Sequence, residues 1–155
     1  MIELIDIAYV RSSTPDIEES IRFATEIVGL EVSGRDEDAV YLRADERHHC
    51  VAFVPGPAGM LAAGLTVGGL DELEQAESEL AEYGLEVARG TEEEAEARRV
   101  DAFFGFTDPA GNHVELCVDQ ARIGRPVAFS RDAGITEFGH LCLDAKVPRE
   151  IGRAS

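Results

Sequence analysis

Apolar positions along the chain recur with two periods. Ile17, Ile21, Ala24 and Val28 stand at i, i+4, i+7 and i+11, the spacing that lines one face of an amphipathic helix. Thr14 supplies a cap, Pro15 suits the first turn, and Asp16, Glu18 and Glu19 favour the positive end of the helix dipole. Gly29 follows as a left-handed stop. Further on, Leu73, Ala76, Leu80 and Tyr83 stand at i, i+3, i+7 and i+10. Asp71 and Glu74 open that run with the spacing of a capping box, Gly84 closes it, and Gly68-Gly69 before it reads as a strand-to-helix turn. Short apolar or alternating runs predict strands at residues 4–10, 31–33, 39–43 and 50–54 around the first helix. Similar runs predict strands at residues 60–67, 86–88, 102–107 and 113–118 around the second. Residues 89–99, acidic and then basic, read as a long connection.

The two halves share a short sequence as well as an order. Gly-Leu-Glu-Val fills residues 29–32 and again 84–87, an offset of 84 − 29 = 55 residues. Each copy closes a helix and opens a strand. Each half therefore reads β-α-β-β-β, and a duplication accounts for both. The modules span about residues 1–58 and 59–118. Beyond them the period is lost. Residues 119–136 collect Gly, Pro, Arg and Asp and read as a linker. Residues 137–143 begin another strand, carrying His140.

Composition narrows the partners. A length of 155 residues allows one domain with a sizeable core, and 45% hydrophobic residues argue against disorder. The net charge is −17, from 14 Lys+Arg against 31 Asp+Glu. No basic cluster exists to displace counterions from nucleic acid or to meet an anionic membrane surface. The acidity has its plain use in solubility. Cys50, Cys117 and Cys142 are odd in number and lie in apolar runs, as buried free thiols of a reducing cytoplasm do. The opening residues carry acids and no basic region, so no signal peptide is expected, and no apolar run approaches about 18 residues. His48 and His49 are adjacent. On a strand they would alternate between faces and could not share one ion, so they read as surface and cleft-edge residues. His113, two residues before Glu115, shares its face, and Tyr9 reads as a core or pocket aromatic.

Two stretches carry a family resemblance. Asp108-Pro109-Ala110-Gly111-Asn112-His113-Val114-Glu115-Leu116 is a turn feeding a strand with one glutamate. Phe138-Gly139-His140-Leu141-Cys142-Leu143 opens a strand with one histidine. With the paired modules and the basic approach Arg98-Arg99-Val100, these resemble the vicinal oxygen chelate superfamily. That group includes glyoxalase I, bleomycin-resistance proteins and type I extradiol dioxygenases. The chain looks most like the N-terminal domain of the extradiol ring-cleavage enzymes. The resemblance implies an α+β fold, the glyoxalase/bleomycin-resistance/dioxygenase fold, in which two repeated modules form a curved mixed sheet. It makes residues 137–155 the start of a second, incomplete domain. It also implies Fe(II) held by two histidines and a carboxylate, with open positions for a catecholate and O₂. Those ligands lie on the first, fifth and eighth strands of the C-terminal domain. The Gly-His strand maps the first onto His140, and the other two have no counterpart in this sequence. The equivalent N-terminal positions are Tyr9, Ala62 or Ala63, and Glu115, of which only Glu115 is a ligand type. The expectation is therefore His140 as a metal ligand in a completed protein, and Glu115 as a half-buried carboxylate paired with Arg98 or Arg99. No catalytic or cofactor-binding residue is assigned, and no cofactor is expected for this chain alone.

The function implied is that of the non-catalytic front half of an Fe(II)-dependent extradiol catechol dioxygenase of aromatic catabolism. Small aromatic molecules are the implied ligands, with a homodimer or higher homo-oligomer as the assembly and neither nucleic acid nor membrane as a partner. The alternative is a metal-independent dimer that sequesters a small molecule, as bleomycin-resistance proteins do. A glyoxalase-like metalloenzyme is the third reading, and it would want a histidine where Tyr9 stands.

Overall fold

The computed structural model describes residues 1–129, 131, 132, 135, 137–143 and 145. Strand β1 (Asp6–Thr14) leads into α1 (Ile17–Arg22), which continues as a π-helical turn over Phe23–Val28. Then come β2 (Glu31–Arg35), β3 (Val40–Arg43) and β4 (Val51–Pro55). The second half repeats the order with β5 (Gly59–Thr66), α2 (Leu70–Glu82), β6 (Val87–Arg89), β7 (Ala102–Thr107) and β8 (His113–Val118). It also inserts a short helix, α3 (Glu92–Glu96), between β6 and β7.

Among the described residues, the eight strands form one mixed sheet in the order β2-β3-β4-β1-β5-β8-β7-β6. Read from the centre outward, each half has the same sequence of strands. β1 runs parallel to β4 and β5 parallel to β8, which is why a helical crossover follows each module's first strand. β1 and β5 meet antiparallel at the centre, with Tyr9 opposite Gly64. The offset of the repeat carries one onto the other, since 9 + 55 = 64. The pseudo-two-fold axis of the duplication passes between these two residues.

One face of each half is buried under its own helix. Ala24, Leu30, Val40 and Leu42 form the core beneath α1, joined by Ile17 and Ile21. Leu73, Ala76, Phe104 and Leu116 form the core beneath α2. Ile17, Ile21 and Ala24 of the first helical period and Leu73, Ala76 and Leu80 of the second make these contacts, whereas Val28 and Tyr83, which end the two periods, are exposed. Three local details differ from the sequence reading. Asp16, not Thr14, caps α1: its carboxylate accepts from the Glu19 amide at 2.9 Å, while Thr14 bonds sideways to the Ser20 hydroxyl. Asp71 and Glu74 make no capping box, because the N-cap of α2 is Gly69, two residues before Asp71. A real box stands at α3, where Thr91 and Glu94 bond each other's backbone. Gly29 ends the first helix at φ 97°, in the left-handed region where glycine has no Cβ penalty.

After β8 the chain crosses back to the first half. His48 N–H donates to Ala121 O at 2.7 Å, and Ile123 N–H to Glu46 O at 2.8 Å. Arg43, fully buried, donates to Glu31 and to the carbonyls of Arg125 (3.3 Å) and Pro126 (3.1 Å). Glu31 in turn accepts from the Ala128 amide at 3.0 Å. Ile135 and Phe138 lie against the core under α1. The strand expected at residues 137–143 is not formed among the described residues.

Candidate functional site

The face of the sheet opposite α1 and α2 brings the three positions named by the resemblance into one row. Tyr9 on β1 lies opposite Gly64 on β5, and Gly64 lies in register with Glu115 on β8. The fifth-strand position is therefore Gly64 and not Ala62 or Ala63. The reason is register: antiparallel pairing about the pseudo-two-fold fixes which residue meets Tyr9. A Cβ on residue 64 would lie 2.6 Å from the Tyr9 ring, so glycine makes the room in which that ring lies.

The row closes on itself. Glu115 is buried rather than half-buried, at 1% exposure. Its Oε2 accepts from the Tyr9 hydroxyl at 2.7 Å and from Arg98 Nε at 2.8 Å, and its Oε1 accepts from Arg98 Nη2 at 2.6 Å. The fork of the guanidinium matches both carboxylate oxygens. Its carbon rests 4.0 Å over the Phe103 ring. Of the two arginines expected as partners, Arg98 takes Glu115, and Arg99 turns to Asp36 and Glu96. Burial, and after it the Glu115 charge, lifts the Tyr9 phenol well above its ordinary range. Burial pushes the Cys117 thiol up to about 12. Neither group is an anion at neutral pH. His113 shares the face as expected, with Nε2 3.8 Å from Glu115 Oε1, beyond a direct hydrogen bond.

The connection expected as a loop covers this row. From α3 to β7 it forms a strap: Ala95 and Val100 pack with Tyr9 and Phe103, and the Ala97 carbonyl accepts from Arg11 (3.0 Å) and from the Tyr41 hydroxyl (2.8 Å). The signal for it was in the sequence, as Thr91 followed by Glu94.

His48 and His49 depart from expectation. They lie in the bent loop between β3 and β4, not on a strand, so both rings turn toward the same interior. Their Nδ1 atoms are 3.1 Å apart, and His49 is fully buried, stacked on Tyr9 and edge-on to Tyr41. Burial, then the neighbouring His48, holds the His49 pKa well below the ordinary imidazole value. His140 is exposed and belongs to no regular element. Among the described residues, no three His, Cys, Asp or Glu side chains converge as a metal centre requires. No helix among them is long and apolar enough to cross a membrane.

Comparison with known proteins agrees with this architecture. The profile of the Glyoxalase/Bleomycin resistance protein/Dioxygenase superfamily matches residues 6–116. A 1,2-dihydroxynaphthalene dioxygenase from Sphingobium xenophagum is 33% identical, over 92% of this chain and 51% of its own length. An iron-dependent extradiol dioxygenase from Rhodococcus jostii (strain RHA1) is 29% identical, over 88% and 48%. Among solved structures, a halotolerant catechol dioxygenase superposes with a TM-score of 0.80 at 28% identity, covering 85% of this chain and 45% of its own. The chain thus spans about half the length of the relatives it matches. Sheet order, duplication and sequence agree, and the chain belongs to the Glyoxalase/Bleomycin resistance protein/Dioxygenase superfamily.

Proposed function

We propose that this chain is the N-terminal, non-catalytic domain of a two-domain extradiol ring-cleavage dioxygenase of aromatic catabolism. Residues 1–118 are the paired-module domain, 119–136 the linker and 137–155 the beginning of the next domain. His140 is the first metal ligand of the completed protein, and the metal there is Fe(II), as in the iron-dependent relative. The ring substrate is a small aromatic diol, and the assembly is a cytoplasmic homodimer or higher oligomer. The domain's work is packing, association and shaping the mouth of the catalytic site.

One observation carries this reading. At the positions where the resemblance puts metal ligands, the chain holds a tyrosine, a glycine and a carboxylate already committed to an arginine. A metal ion does not fit this set. A dication at Glu115 would have to displace the Arg98 guanidinium and would find no imidazole on β1 or β5. No reaction step is assigned to these residues.

The test is anaerobic incubation of the chain with Fe(II), followed by catechol or 2,3-dihydroxybiphenyl in air. No yellow ring-opened product is expected, and the iron should be lost on desalting. Yellow product that His140→Ala abolishes would overturn the assignment.

A further inference from the structure

Arg11 differs from most of the other arginines. Every arginine from Arg22 to Arg125 lies in an ion pair with an acid, as expected in a chain with 31 acids and 14 basic residues. Arg11 has no acidic partner among the described residues. Its hydrogen bond runs from Nη1 to the Ala97 carbonyl at 3.0 Å. That leaves most of its planar donor fork unused, and this fork is the geometry that receives a carboxylate.

Arg11 lines a cleft of about 470 Å³ between the Asp36–Ala39 turn, the end of β4 and the strap. The volume lies within the range of about 300–1,000 Å³ typical of small-ligand sites. Asp36 is not the missing counterion. Its two oxygens receive Arg99 Nη2 at 2.9 and 2.7 Å, and one of them also receives the Tyr41 hydroxyl at 3.0 Å. Glu37 and Asp38, exposed at the rim, have no ion pair among the described residues. Val54, Pro55 and Ala39 give the cleft an apolar wall. It therefore presents one uncommitted cation, two uncommitted acids and a hydrocarbon surface.

We propose that this cleft binds a small zwitterion of the α-amino-acid class. The carboxylate is received by Arg11, the ammonium by Glu37 and Asp38, and the hydrocarbon part by Val54 and Pro55. A ligand with only a carboxylate would meet two unneutralised acids, and one with only an amine would meet Arg11. Each single charge is opposed, and the pair together is matched. The site shares a sheet face with Tyr9 but uses none of the Tyr9–Glu115–Arg98 row. It does not depend on the dioxygenase assignment.

The experiment is an NMR titration of the full isotope-labelled chain with L-leucine, with isovalerate and isoamylamine as single-charge controls. Leucine is expected to move the amides of Arg11, Ala39 and Val54 saturably, with a Kd of about 1 mM, an affinity ordinary for so small a ligand. Arg11→Gln is expected to raise that Kd about tenfold or more, as loss of a charge-assisted fork does. The exposed pair Glu37→Gln/Asp38→Asn, which leaves the core untouched, should weaken leucine and strengthen isovalerate. Unmoved amides at leucine concentrations of about 10 mM would overturn the proposal. So would either control binding as well as leucine, or full leucine affinity in the Glu37/Asp38 double variant.

Discussion

Arg98 neutralises a charge that the sheet otherwise buries alone. Removing it as Arg98→Met strands the Glu115 carboxylate at 1% exposure, and the expected loss is about 3–5 kcal/mol in urea unfolding. Adding Glu115→Gln should restore a large part of that loss. A double variant no more stable than Arg98→Met would show that the guanidinium acts by packing on Phe103 instead. That an arginine would meet Glu115 was legible in the sequence, since a half-buried carboxylate needs a cation and Arg98-Arg99 lies just upstream. That Tyr9 shares a row with Glu115 came only from the family resemblance, because its contact depends on the register of β1 against β5, which no local pattern encodes. His49 was misread for a similar reason. Adjacent residues alternate only on a strand, and this pair lies in a bend. It also sets a pH dependence. Burial keeps the folded His49 pKa well below the unfolded value of about 6.5. The unfolded chain therefore binds more protons as pH falls through that value. Its stabilisation is complete above about pH 6.5 and is lost below it, at about 1.4 kcal/mol per pH unit while the folded imidazole stays neutral. Melting temperatures between pH 7.5 and 5.5 should fall accordingly, and His49→Asn should flatten the slope. An unchanged slope in that variant would assign the effect to other groups.

The strap from α3 to β7 is the element that distinguishes the second module from the first. Its helix is only five residues long, too short to hold itself without a nucleus. Its cap and its contacts with the sheet keep it in place. Thr91→Ala should cost about 1 kcal/mol and should speed amide exchange at Ala95 and Ala97 far more than in β5 or β8. Uniform acceleration across the chain would mean that the strap does not open by itself. The eight strands were legible because alternation and β-branched runs survive at the level of a few residues. The strap was signalled only by its capping pair, Thr91 and Glu94, because five residues show no helical period. The start of α2 was placed too late for a related reason. A glycine cap leaves no side-chain signature, and the acids at Asp71 and Glu74 imitated one.

The duplication organises the molecule, and the offset of 55 residues announced it in the sequence. Which strands meet at the middle was not announced, since either edge of a module can pair with its copy. Phe23 and Ile27, 57% and 60% exposed on the outside of the first helix, are apolar surface of the kind that association covers. A dimer is expected in sedimentation at tens of micromolar, and a monomer alone at that concentration would count against it. The return of the chain over Arg43 has a further effect, felt while the protein is being made. The first half leaves the ribosome well before the carbonyl of Arg125, 82 residues after Arg43, exists to receive this arginine. At about 5–20 residues per second, that interval lasts about 4–16 seconds. Until then the guanidinium is either hydrated, holding its core open, or buried with acceptors missing. Nascent chains halted with residues 1–118 outside the ribosome should be cut readily by protease within the first half, whereas chains reaching residue 129 should resist. Folding of the first half thus waits on residues 125–128, and a chaperone that holds the incomplete chain would find its substrate in that interval.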